Sequence, residues 1–114
     1  PLSGVATQER QALYRNACTV ETLAAARTVL LSDGDLIKLD PGGASRVVTF
    51  SATCEFNGYR CRIANAADAA EDLTVKDSAA ATIAVLNQNQ AADFHYNGSA
   101  WKFVGFSHIV DMSS

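Results

Sequence analysis

Asp93 and His95, two positions apart, are the residues closest to usable chemistry, and a second imidazole, His108, follows Ser107. Residues i and i+2 of a strand face the same way, so Asp93 and His95 can reach one metal ion or pass one proton. The constellation is incomplete. A nucleophilic enzyme also needs a positioned base and an oxyanion pocket, and there is no Gly-x-Ser-x-Gly turn or comparable element. Solvent-facing residues beside an aromatic hairpin, or polar contacts to a neighbouring subunit, account for the pair more simply. An enzyme centred on Asp93, His95 and His108 therefore ranks last among the readings, and no catalytic residue is assigned.

The remaining candidates fare no better as reactive groups. Cys54, Cys61, His95 and His108 offer soft or borderline ligands, but structural zinc sites bring paired cysteines about two to four residues apart. Here six residues intervene. Packing on an apolar face suits Cys61, and an inert thiol suits Cys54. Asp33-Gly34-Asp35 hints at calcium, yet it lacks the further spaced oxygens and terminal Glu of a calcium hand, so it reads as a turn. Asn97-Gly98-Ser99 has the spelling of a glycosylation acceptor and equally the composition of a tight hairpin turn. Trp101 reads as core, opposite Tyr96 and close to Phe103. Arg60 and Arg62 form a small basic stripe on an exposed strand face, suited to a partner's carboxylate or simply to solvent. Neither a metal site nor a cofactor site is expected.

The elements that carry these residues are strands. Turn signals recur at short intervals from Leu36 onward: Asp40-Pro41-Gly42-Gly43, Asn57-Gly58, the stretch around Asp68, Asp77-Ser78 and Asn97-Gly98. Between them, side chains alternate with period two. Tyr59, Cys61 and Ile63 share one face and Arg60 and Arg62 the other; Leu73 and Val75 oppose Thr74 and Lys76; Ala92, Phe94 and Tyr96 oppose Asp93, His95 and Asn97. Leu36 to Leu39, Arg46 to Phe50, Thr82 to Leu86 and Trp101 to Phe106 carry the β-branched and aromatic residues that strands favour. Asn57-Gly58 and Asn97-Gly98 tolerate the positive φ of tight hairpins, and the second folds Phe94 and Tyr96 back near Trp101 and Phe103. The expected fold is all-β, a single compact β-sandwich or β-barrel-like domain over 18–114. Thr19 to Leu31 mixes helix-favouring Leu23-Ala24-Ala25-Ala26-Arg27 with strand-favouring Thr28-Val29-Leu30-Leu31, and strand is preferred. Residues 1–17 read as an N-terminal arm with sparse apolar side chains, Leu2, Val5, Leu13 and Tyr14. A short helix capped by Ser3 or Thr7 and an extended arm are equally compatible with it.

Composition narrows the partners. The 114 residues are 48% hydrophobic and only 18% charged, within the globular range and long enough to bury a core. A surface so poor in charge suits contact with another protein. The formal net charge of −3 supplies no cationic field for a nucleic-acid backbone. No apolar run approaches the roughly 18 residues that span a bilayer, and a secretory signal pattern is not evident, so neither nucleic acid nor membrane is an expected partner. Three cysteines cannot all pair within one chain, which points to reduced thiols in a protein made in a cytoplasm.

The run from Thr19 to Gly105 resembles a module of tailed-bacteriophage head-decoration, head-fibre and tail-fibre proteins. The similarity lies in Thr22-Leu23-Ala24-Ala25-Ala26-Arg27-Thr28-Val29 leading through Asp33-Gly34-Asp35 to Leu36-Ile37-Lys38-Leu39-Asp40, a Gly-containing turn and Arg46-Val47-Val48-Thr49-Phe50. It continues in Tyr59 to Ala66, a strand ending in an Asn-Ala loop, and in Asp72-Leu73-Thr74-Val75, its following edge. Ile83 to Gln90 gives a strand with an amide-rich turn, and Tyr96 to Gly105 a closing hairpin. Cys54 to Phe56 departs from the pattern, where the family commonly has a Pro-containing turn. The resemblance covers about three quarters of the chain, and its motifs mark structure rather than reactivity. It implies a non-enzymatic virion protein, made in the host bacterial cytoplasm, that sits on the capsid exterior, binds the major capsid protein as a homotrimer and stiffens the head. The arm, through Leu2, Val5, Leu13 and Tyr14, would make the capsid contact. The alternative it implies is a head- or tail-fibre module binding a host receptor or carbohydrate through Tyr14, Asn87, Gln88 and Asn89.

Overall fold

Alternating strands partition into two sheets that enclose one core, as a computed structural model describing residues 18–107 shows. Among the described residues strand makes up 51% and helix 7%, so the fold is all-β. The strands are β1 (Cys18–Thr22), β2 (Arg27–Val29), β3 (Leu36–Asp40), β4 (Arg46–Phe50), β5 (Arg60–Asn65), β6 (Leu73–Lys76), β7 (Thr82–Leu86), β8 (Gln90–Tyr96) and β9 (Trp101–Ser107). Short 3-10 helices occupy Leu31–Asp33 and Ala52–Cys54. One sheet has the order β1-β3-β5-β8-β9 and the other β2-β4-β6-β7.

This order means that the chain winds as a coil. β1, β3 and β5 stack in parallel in the first sheet, while β2, β4 and β6 stack in parallel in the second. Parallel neighbours need a crossover, usually a helix; here the crossover is a strand of the opposite sheet. Each pair β1–β2, β3–β4 and β5–β6 thus completes one turn. The path then reverses: β7 pairs antiparallel with β6, β8 with β5, and β9 with β8.

The topology corrects two sequence expectations. Asn57-Gly58 does not close a hairpin, because β4 and β5 lie in different sheets; Gly58, at φ 95°, instead bends the link between them, and its amide donates to Tyr96 O at 2.9 Å. Leu73 to Lys76 is not an edge, because β6 lies between β4 and β7. Asn97-Gly98 does close a hairpin, with Tyr96 opposite Trp101 and Phe94 opposite Phe103. Asn97 Oδ1 accepts from the amides of Ser99 and Ala100 at 3.0 and 2.9 Å, and Gly98 takes φ 97°. The expectation of an arm over 1–17 falls outside the described residues.

Period-two patterning decides what each strand buries. Ile37, Leu39, Cys61, Ile63, Ala92 and Phe94 face inward from one sheet, and Val29, Val48, Phe50, Leu73, Val75 and Leu86 from the other. Each large aliphatic or aromatic side chain withdrawn from water contributes roughly 1.5–3 kcal/mol. Phe50 joins the sheets: it stacks on Trp101 with centroids 4.0 Å apart and meets Phe94 and Tyr59 edge-on. The first turn differs. Arg27 there donates to both Asp33 carboxylate oxygens at 2.8 Å and reaches Glu21 Oε1 at 3.2 Å, so ion pairs add to the apolar packing of buried Leu23, Val29 and Leu31.

Candidate functional site

Strand register assembles a mixed basic and apolar face on the outside of the five-stranded sheet. Because Arg60 and Arg62 flank the inward Cys61, both look outward, as their alternation predicts. Arg60 stands opposite His95 and His95 opposite Lys102, giving one row across three strands. A second row runs Leu36, Arg62, Asp93, Val104. Arg60, Arg62, Asp93, His95, Lys102 and Val104 border a depression of about 660 Å³, with Asp35 at its margin. Val104 is 64% exposed, so apolar area lies beside the charges, whereas Phe103 opposes inward Phe94 and belongs to the other face of the sheet.

Asp93 is committed within this face. Arg62 donates to it through Nε at 2.6 Å and Nη2 at 3.0 Å, a forked pair. That hydrogen bond raises the Arg62 pKa and occupies the carboxylate that would have worked with His95. His95 and Lys102 are exposed. His108 lies outside the described residues, as do Leu2, Val5, Leu13 and Tyr14, so neither the enzymatic trio nor the capsid-contact set is brought together by the described residues.

The other sequence candidates have structural placements. Cys61 faces the core while His95 on the paired strand faces outward, which separates the ligands considered for zinc. Burial pushes the Cys54 thiol up to about 11 and the Cys61 thiol up to about 12, and it raises the Tyr59 phenol far above its usual value. The Tyr59 hydroxyl is buried without a hydrogen-bond partner, and Cys54 Sγ donates to Val29 O at 3.7 Å. Asp33 of the Asp-Gly-Asp run is taken by Arg27. Burial works to raise its pKa, but the hydrogen bonds from Arg27 and the Leu30 amide prevail and hold it low. Asn87 donates to Asp72 Oδ1, Gln88 donates to Ala67 O, and Asn89 holds φ 65°, so the amide-rich turn is committed to its own fold.

Three features carried no clear sequence signal. Lys102 enters the basic row only through the hairpin register. Tyr96, Trp101 and Phe103 line a cleft of about 420 Å³ with Glu55, Asp77 and Ser78. Trp101 Nε1 donates there to Glu55 Oε2 at 3.0 Å; burial works to raise the Glu55 pKa, but hydrogen bonds from Ser78 and Trp101 hold it low. Finally, Asp40, Asp68 and Glu71 place ligating oxygens within 4.8 Å of one another.

No family model, no curated protein and no solved structure matches the chain.

Proposed function

We propose that this chain is a non-enzymatic virion protein of a tailed bacteriophage, a decoration protein that binds the exterior of the assembled head as a homotrimer and stiffens it. The observation that carries the reading is the outer face of the five-stranded sheet: a hydrogen-bonded surface where a basic row lies beside exposed Val104. Polar groups steer and register such a contact, and the apolar area supplies affinity. The module resemblance running from Thr19 to Gly105 supports a virion setting. Residues 1–17 would add a second contact to the major capsid protein. Three such segments on one trimer make later contacts intramolecular, which raises avidity by about 10² to 10⁴ without stronger individual contacts.

Co-sedimentation with undecorated, expanded heads tests this. Lys102→Glu with Arg60→Glu should weaken binding at least tenfold and leave the fold intact, and removal of residues 1–15 should abolish it. Undiminished binding by both variants defeats the proposal.

The aromatic and acidic cleft around Trp101 favours one second reading, a fibre module that binds carbohydrate. Sugar rings stack on aromatic faces, and carboxylates accept from their hydroxyls. Saturable binding on a glycan array, lost in Tyr96→Ala, would favour it over the capsid role.

A further inference from the structure

We propose that the seam between β7 and β9 is a docking groove for an extended peptide strand of a partner protein, one with alternating apolar side chains and a lysine or arginine at one end. The strand count makes the groove. Among the described residues the first sheet has five strands and the second four, ending at β7. β5 and β6 are followed in their sheets by β8 and β7, and β9 then extends past the last strand of the facing sheet. Phe103 marks that overhang: it opposes inward Phe94, with ring centroids 5.9 Å apart, yet is 48% exposed. At the other end of the coil β1 and β2 are both terminal, so neither sheet overhangs there. The groove is also separate from the basic face, because Lys102 and Val104 point to the opposite side of β9.

Two hollows lie along the seam and meet at Phe103. One, of about 420 Å³, also touches Thr82 and Trp101; the other, of about 190 Å³, touches Ala84, Leu86 and Gly105. β7 borders both, so the groove is as long as a five-residue strand, about 17 Å at about 3.4 Å per residue. Its walls are of two kinds. The free edge of β7 presents backbone N–H and C=O groups on alternate residues, and the strand has no charge or proline to block pairing. Its one irregularity, where Lys76 pairs with Thr82 and Ile83 is passed over, leaves Ala84 to Leu86 in regular register. The floor is Phe103 beside the bare backbone of Gly105. An incoming extended backbone pairs with the edge while its alternate side chains cover Phe103 and fill the hollow at Gly105, which is the mode of strand addition. Charge complementarity sets its orientation: Glu55 and Asp77 border the hollow at the Thr82 end, so the cationic side chain belongs there.

The test is a displayed library of random peptides panned against the full chain, followed by titration of the enriched peptides and hydrogen exchange. Enriched sequences should alternate apolar and polar residues, with a lysine or arginine near one end. On binding, alternate amides of Thr82 to Leu86 should exchange at least about tenfold more slowly. Gly105→Val is the decisive variant, because a Cβ there has only Ala91 O, at 4.0 Å, near it, and a β-branched residue suits a strand. Its Tm should match the parent's, while the added side chain fills the hollow and weakens the peptides at least about tenfold. Phe103→Lys, at a half-exposed position, should weaken them as much by placing a charge on the apolar floor. Amides of β7 that are all protected before any peptide is added overturn the proposal, since the chain's own residues would then occupy the edge. So do a library with no such enrichment, peptides that bind both variants undiminished, and a seam that takes glycans but no peptide.

Discussion

Replacing Asn65 should unfold this protein more readily than any surface change, and the structure sets the size of the effect. The side chain is fully buried at the end of β5 and makes three hydrogen bonds. Its Nδ2 donates to Glu71 O at 2.8 Å and to Leu86 O at 2.9 Å, and its Oδ1 accepts from Ala67 N at 2.9 Å. It therefore ties the β5–β6 loop to the end of β7. Each hydrogen bond is worth about 1 kcal/mol net, and a buried group left unpaired costs about 1–3 kcal/mol. Asn65→Ala thus costs about 3–5 kcal/mol, a large part of the roughly 5–15 kcal/mol that stabilises an ordinary domain. At about 4–8 °C per kcal/mol, Tm falls by at least about 12 °C in circular-dichroism melts. Asn65→Leu separates the causes, because it fills the same volume and makes no hydrogen bond. It should be as damaging as Ala. A fall below about 5 °C for Ala, or recovery in Leu, would refute the assignment of this stability to hydrogen bonding.

Three further outcomes follow from particular contacts. With Cys18 exposed and Cys54 and Cys61 buried, a disulfide reagent at mild alkaline pH should titrate one thiol in the folded chain and three in urea; two fast thiols would contradict the core packing. The Asp33 carboxyl is held below its ordinary value, so its contribution is present above the unfolded carboxyl pKa of about 3.9 and is lost as pH falls through the lower folded value. Asp33→Asn should therefore flatten the dependence of Tm on pH in that acid range, and parallel curves for parent and variant would exclude the pair as its source. A Cβ on Gly42, at φ 76°, would lie 2.1 Å from Leu23 O, whereas one on Gly43, at φ 104°, meets nothing within 4 Å. In urea titrations Gly42→Ala should cost more than about 2 kcal/mol and Gly43→Ala about 1 kcal/mol, and equal costs would deny the close approach.

Much of the strand content was legible because a half-buried strand writes itself as period-two alternation. Arg46–Phe50, Leu73–Lys76 and Thr82–Leu86 have the bounds that their residues suggest. The pairing was not legible. Parallel stacking through an opposite sheet leaves no local mark, and Asn57-Gly58 is chemically as fit for a bend between sheets as for a hairpin. The ambiguity of Thr19 to Leu31 has a physical origin as well: β1 is exposed along nearly its whole length and β2 is only three residues long, so neither shows a clear alternation. For the site, Arg60 and Arg62 were readable from one strand, whereas Lys102 and the trio Asp40, Asp68 and Glu71 are brought together only by register and by a loop.

The decisive measurement is electron microscopy of undecorated, expanded phage heads mixed with the purified chain. Ordered three-fold density at fixed positions on the outer lattice, with the five-stranded sheet's basic face turned to the capsid subunits, is the expected image. Bare heads at saturating protein, or density confined to fibres, would contradict the capsid role.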